Sequence, residues 1–349
     1  MGQAQKGLAA PTDIVSPRPR QAAPAPAGTN LRQPTQHIMQ NLEDLEKFGQ
    51  PGRIAFREDE TAPVAVLVAP GGSAEVSLYG ANVLAYRPTG HSPVLWLGDG
   101  HLAAANPGSS TRGGIPVCWP WFGQSGDSSK PMHGFARNLF WSVVGAECDA
   151  STTSVTLAAV DSADTMALWP HAFRVELRVA VGPKLSLKLT TFNTGRSPFD
   201  ITEALHAYFR VGDVADVLVT GFDGQPYHDK AAGWIDSVQS GAIAFANKVD
   251  RVYFRHSGTA VITDSKVGRR IAIEKKGSGA SVVWNPNART CATIGDMRPD
   301  DWRRFVCVET ANAGTEPIRV EPGARHSISA EISAILVDGE GRPVGVSAG

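Results

Sequence analysis

HAFRVELRVAV (His171–Val181) and KLSLKLTTFN (Lys184–Asn193) are the stretches on which the fold turns. In the second, Leu185, Leu187 and Leu189 recur at every other position. A period of two places alternate side chains on opposite faces of an extended strand, so the leucines share one face. The same texture extends in both directions. AVLVAP (65–70), AEVSLYG (74–80), NVLAYRP (82–88) and PVLWLG (93–98) are short β-type runs separated by turn residues. Similar runs follow at Val217–Thr220, Val252–Phe254, Ala260–Thr263, Arg270–Glu274, Ser281–Trp284, Val306–Glu309 and Ile328–Leu336. Neither a clean internal repeat nor a linker after residue 50 interrupts them. These runs predict an all-β chain, a single β-sandwich of about 300 residues, large for one domain but tolerated in all-β architecture.

The N-terminal part reads differently. Residues 1–36 are rich in Ala, Pro and Gln, as in RPRQAAPAPAGTN. Such a segment cannot bury enough apolar area to offset the entropy of ordering, so a disordered tail is expected, without the apolar core of a secretory signal. HIMQNLEDLEKF (37–48) spaces Ile38, Leu42 and Leu45 as a helix does, and Gly49 and Pro51 stop it. The sandwich domain is expected over residues 37–340.

Composition narrows the partners. The 349 residues carry a formal charge of −1, which favours neither nucleic acid nor an anionic membrane surface. No apolar run approaches the roughly 18 residues a spanning helix needs. The 36 glycines and 24 prolines favour many turns and few long helices. Cys118, Cys148, Cys291 and Cys307 form no C-x-x-C pair and no zinc spacing. They read as small apolar residues in a reducing compartment, the cytoplasm. P-loop, G-x-G-x-x-G, G-x-S-x-G and H-E-x-x-H motifs are absent, which removes support for nucleotide binding, serine hydrolysis and zincin chemistry.

Six stretches could carry chemistry. In TRGGIP (Thr111–Pro116), two glycines and a proline give Arg112 a fixed root, and its planar donor fork suits a carboxylate or phosphate. A surface arginine beside a structural turn fits as well. In KPMHGFARN (Lys130–Asn138), Arg137 either completes an anion clamp or is a solvated loop residue. His133 in the same loop reads as a ligand-facing or a structural histidine. Read as a strand, EALHAYFRV (Glu203–Val211) puts Leu205, Ala207 and Phe209 on one face and Ala204, His206, Tyr208 and Arg210 on the other. His206 is then either an imidazole in a ligand cleft or a satisfied core histidine. In RFVCVETANAG (Arg304–Gly314), Glu309 ends an apolar run. Burial there would raise its pKa toward values useful to a base, whereas a strand end would leave it in water. KVDRVYF supplies Asp250 at a strand entry, and VVWNPNA supplies Trp284, a sugar-stacking or core tryptophan.

Taken in order, RGGIPVCWPWFG, HGFARN, EALHAYFRV, VDRVY, VVWNP and FVCVETAN resemble the hexose-6-phosphate mutarotase branch of the aldose 1-epimerase family, over roughly residues 38–337. The resemblance implies a large antiparallel β-sandwich of galactose-mutarotase type, with few short helices. It matches the family's catalytic histidine to His206 and its catalytic glutamate to Glu309. It matches the sugar-contacting aspartate to Asp250 and the phosphate-holding arginines to Arg112 and Arg137; His133 joins them as a substrate contact. The implied reaction interconverts sugar anomers by ring opening and closure, with Glu309 as base and protonated His206 as acid. It needs no metal or redox cofactor. A phosphorylated hexose is the expected substrate, and a monomer the expected form, without nucleic-acid or membrane partners. Two positions depart from the family. Met132 replaces a frequent glutamine before HGFAR, and Asn287 replaces a frequent aromatic after WNP. Methionine makes no strong hydrogen bond, which bears on the sugar preference. An epimerase of unphosphorylated sugar and a non-catalytic carbohydrate binder remain the rival readings.

Overall fold

The computed structural model describes residues 40–99, 112–314 and 316–344. The Ala/Pro-rich tail and Ile38 lie outside the described residues. His171–Asn193 becomes an antiparallel hairpin of Phe173–Val181 and Leu185–Asn193, with Val181 opposite Leu185, Val179 opposite Leu187 and Leu177 opposite Leu189. All six of these side chains are buried. Each buried aliphatic contributes about 1.5–3 kcal/mol relative to exposure. Arg174 and Glu176 alternate with them on the other face and pair at 2.7 Å.

The hairpin lies in one of two eight-stranded antiparallel sheets. The second contains the strands Val117–Cys118, Glu203–Leu205, Tyr208–Arg210, Val249–Phe254, Ala280–Asn285 and Phe305–Asn312. Both sheets contribute to one main hydrophobic core, Leu187, Ile328 and Ile332 from the first and Leu205, Phe209, Val306 and Val308 from the second. A four-stranded sheet between Ile54 and Pro88 packs against the first. The protein is an antiparallel β-sandwich; its α-helices among the described residues are Leu42–Leu45, Ala163–Leu168 and Asn287–Cys291.

Two expectations change. Of the helix expected over 37–48, the described part holds one α-turn, Leu42–Leu45, running into a 3₁₀ turn, Glu46–Phe48. Asn41 sets the start: its side chain accepts from the Asp44 amide while Asp44 bonds back to the Asn41 amide. PVLWLG is no continuous strand. Leu95 bridges Phe209 and Leu97 bridges Gly113, so each residue serves a different neighbour.

Candidate active site

The central element is EALHAYFRV. It pairs with Phe305–Asn312 at both ends: Glu203 opposite Asn312 and Leu205 opposite Thr310, then Tyr208 opposite Cys307 and Arg210 opposite Phe305. Both halves share one register, which places His206 opposite Glu309. Between them the ladder opens, and the His206 amide donates instead to the Pro116 carbonyl at 3.0 Å. The expected alternation holds. Leu205, Ala207 and Phe209 enter the main core, whereas Tyr208 and Ala204 join small clusters on the opposite face.

On that face His206 Nε2 lies 3.4 Å from Glu309 Oε1. Both residues are buried, and both keep a second polar atom, His206 Nδ1 and Glu309 Oε2, with no partner in the protein. Buried polar atoms left unpaired cost about 1–3 kcal/mol each, and a polar ligand reaching the pair would offset that cost. The Tyr208 ring stacks on the imidazole at 4.8 Å and 10°, and Trp284 meets it edge-on at 6.2 Å.

Burial, then the charges of His133, Arg137 and Arg112, push the His206 pKa well below its ordinary value. Burial, then Asp250, push Glu309 well above the carboxylate range, with Lys230 opposing. The protein by itself therefore favours a neutral imidazole beside a protonated carboxyl. Two cationic guanidiniums and a dry setting act on the ring against the imidazolium–carboxylate form that the expected mechanism uses. The two forms still hold the same number of protons and differ only by one transfer between the partners.

The remaining expected residues surround this pair. Arg112 precedes Gly113 and Gly114, whose φ values are 104° and 69°. A side chain would meet the Trp96 carbonyl at 2.6 Å from Gly113 and the Val83 carbonyl at 2.3 Å from Gly114. Only glycine fits there, so the root of Arg112 is fixed. Its Nε donates to Asp296 at 2.9 Å and its Nη1 to the Tyr208 hydroxyl at 3.3 Å. Arg137 sits in a 3₁₀ turn and donates through Nη2 to the Met132 carbonyl at 2.8 Å, while its buried Nε has no partner. Met132 is thus used through its backbone, and its side chain is half exposed.

His133 has φ 64° and accepts from the Gly123 amide through Nδ1 at 3.2 Å. That bond leaves the ring proton on Nε2. Burial, with Arg137, Lys230 and Arg112, pulls its pKa to about 3, and its ring stands 5.7 Å from that of His206. Asp250 lies opposite Trp284 and between Lys230, at 3.8 Å, and Lys248, at 3.7 Å. Burial raises its pKa against the pull of both lysines. Sequence reading missed Lys230 and Asp296. Each is a charged residue in a turn, with no periodicity to mark it.

Solved structures share this fold. The crystal structure of a "putative mutarotase" from Salmonella typhimurium aligns with a TM-score of 0.76 at 32% identity, covering 82% of this chain and 95% of that one. That of a galactose 1-epimerase from Lactobacillus acidophilus aligns with a TM-score of 0.59 at 12% identity, covering 82% and 99%, a likeness of fold alone. The architecture is therefore that of the galactose-mutarotase-like β-sandwiches. Sequence comparison is more specific: the family described as Aldose 1-epimerase matches residues 63–333. A relative from Escherichia coli K12, named "Putative glucose-6-phosphate 1-epimerase", is 36% identical over 76% of this chain and 88% of its own length. One of the same name from Cenchrus ciliaris is 33% identical over 75% and 81%. The chain belongs to the aldose 1-epimerase family.

Proposed function

We propose that the protein interconverts the α and β anomers of glucose 6-phosphate, with His206 and Glu309 exchanging protons with the sugar. The observation that carries this reading is their 3.4 Å approach across neighbouring strands, each with a further buried polar atom free of protein partners. Ring opening removes the proton of the C1 hydroxyl and delivers one to the ring oxygen, breaking the bond between C1 and that oxygen. Rotation about C1–C2 and closure give the other anomer. Glu309 as carboxylate takes the first proton and imidazolium His206 gives the second; closure reverses both. Each positioned transfer contributes roughly 10²–10⁴-fold. A phosphate held by Arg112 and Arg137 would orient the ring and offset the two charges that disfavour imidazolium. Substrate binding and formation of the working ionic pair are then coupled.

NMR exchange spectroscopy of α-glucose 6-phosphate at anomeric equilibrium tests the reading: added protein should raise the exchange rate above the spontaneous one. No acceleration at catalytic concentrations would overturn it. A second reading, action on unphosphorylated sugar, draws on the partners that Arg112 already has in Asp296 and Tyr208. Turnover of glucose equal to that of glucose 6-phosphate would favour it. The expected setting is a reducing compartment, the cytoplasm, supported by four free cysteines. Among the described residues no helix is long and apolar enough to cross a membrane.

A further inference from the structure

Lys230 belongs to no stretch marked by the sequence, yet the fold builds a turn to deliver it. The strands Pro226–Asp229 and Ile235–Val238 pair antiparallel, and residues 230–234 connect them. The Asp229 carboxylate accepts from the Ala232 amide at 3.1 Å, and the Asp229 carbonyl accepts from the Trp234 amide at 2.8 Å. The Lys230 amide donates to the Asp250 carbonyl at 2.8 Å, which ties the root of the lysine to the residue its side chain reaches. Its ammonium lies 3.8 Å from Asp250 Oδ1 and 5.2 Å from the centre of the Trp234 ring. Lys230 is therefore held at backbone and tip, with about a quarter of its side chain exposed.

We propose that Lys230 is a positioning residue for Glu309: carried on this turn, its ammonium engages Asp250 and shields the Glu309 carboxyl from a second buried carboxylate. Two carboxylates that share a low-dielectric site oppose each other's ionisation, and a cation on one relieves the other. The groups facing Glu309 from each packed element fit this role. His206 and Tyr208 stand across the strand pair, Cys307 precedes Glu309 on its own strand, and Cys118 approaches from the first strand beyond. Asp250 lies opposite Trp284, and Trp284 opposite Cys307, so the carboxylate stands two strands from Glu309 on the face that Cys307 and Glu309 share. It brings the negative charge that raises Glu309, and Lys230, 3.8 Å from it, opposes that charge. Lys248 flanks the other oxygen of Asp250, while Asp229 is paired with Arg251 at 3.6 Å.

The inference rests on the acid–base reading of Glu309, and its test is separable from that reading. Carboxyl ¹³C NMR of glutamate-labelled protein, with the Glu309 signal assigned from Glu309→Gln, follows the titration without any turnover. In Lys230→Met the Glu309 midpoint should rise by about half a pH unit or more, since a cation favouring the carboxylate is gone. Lys230→Arg should restore it. The acid limb of kcat should move up in pH by the same amount, with KM altered less than about twofold. A folded Lys230→Met protein with an unmoved Glu309 midpoint overturns the proposal, as does a loss confined to KM. Should methionine prevent folding, Lys230→Gln serves the same comparison. A wild-type protein inactive on every sugar sinks the functional reading instead, and the NMR titration still decides the role of Lys230.

Discussion

In the proposed reaction the carboxyl of Glu309 and the imidazole of His206 each do one half of a proton exchange, and single substitutions separate these roles from binding. Glu309→Gln keeps size and removes the base, so anomer exchange should fall by at least about 100-fold while the sugar phosphate still binds. Exchange spectroscopy measures the first and calorimetric titration the second; full activity would remove Glu309 from the mechanism. Arg112→Ala should act mainly on KM for glucose 6-phosphate, raising it about tenfold or more, the worth of a charge-assisted contact to phosphate. An unchanged KM in steady-state assays would leave Arg112 as a support for Tyr208 and Asp296. Both residues were legible because rare residue types sat in motifs with a recognisable order. Lys230 was not, because its position follows from a hairpin turn meeting a strand about twenty residues further on. Asp296 was hidden likewise, lying 184 positions from the arginine it holds.

Among the elements, the Gly113–Gly114 turn makes the demand that bears on Arg112. Gly114→Ala would push a methyl group against the Val83 carbonyl and hold a left-handed φ of 69°. A loss of roughly 1–3 kcal/mol is expected, visible as a lower midpoint in chemical denaturation. The displaced root should also raise KM for the phosphorylated sugar, as Arg112→Ala does. The strands themselves could be read with little error where alternation was strict, as at Leu185–Leu189. Reading failed where a segment divides its backbone bonds among several neighbours. PVLWLG looks like a strand by its side chains, but Trp96 donates to the Tyr208 carbonyl and Gly98 to that of Arg112. Periodicity records which way side chains face, and it carries no record of which backbone stands alongside.

For the whole molecule, buried neutral histidines tie stability to pH. Burial, then Lys275, pull His256 to about 4, and His133 falls to about 3. His206 is lowered as well. Unfolding returns each to about 6.5, so below that pH the unfolded chain binds more protons than the folded one. Stability is then complete above about pH 6.5 and is lost as the pH falls toward 4. Glu309 and Asp250 run the other way, their raised pKa values costing stability as pH rises above the ordinary carboxyl value, but two carboxyls oppose three imidazoles. Between pH 7 and pH 4 the thermal midpoint should drop by roughly 5 °C or more. His256→Gln, outside the cleft, should make the decline shallower; a midpoint independent of pH in scanning calorimetry would refute the account. The register across the opened ladder has a further consequence at this scale. Because the paired segments on either side of His206 share one register with the strand of Glu309, the spacing of the two residues is inherited from the sheet. On the proposed mechanism, changes in the turn that carries Arg112 should then alter sugar-phosphate binding while the His206–Glu309 pair keeps its separation.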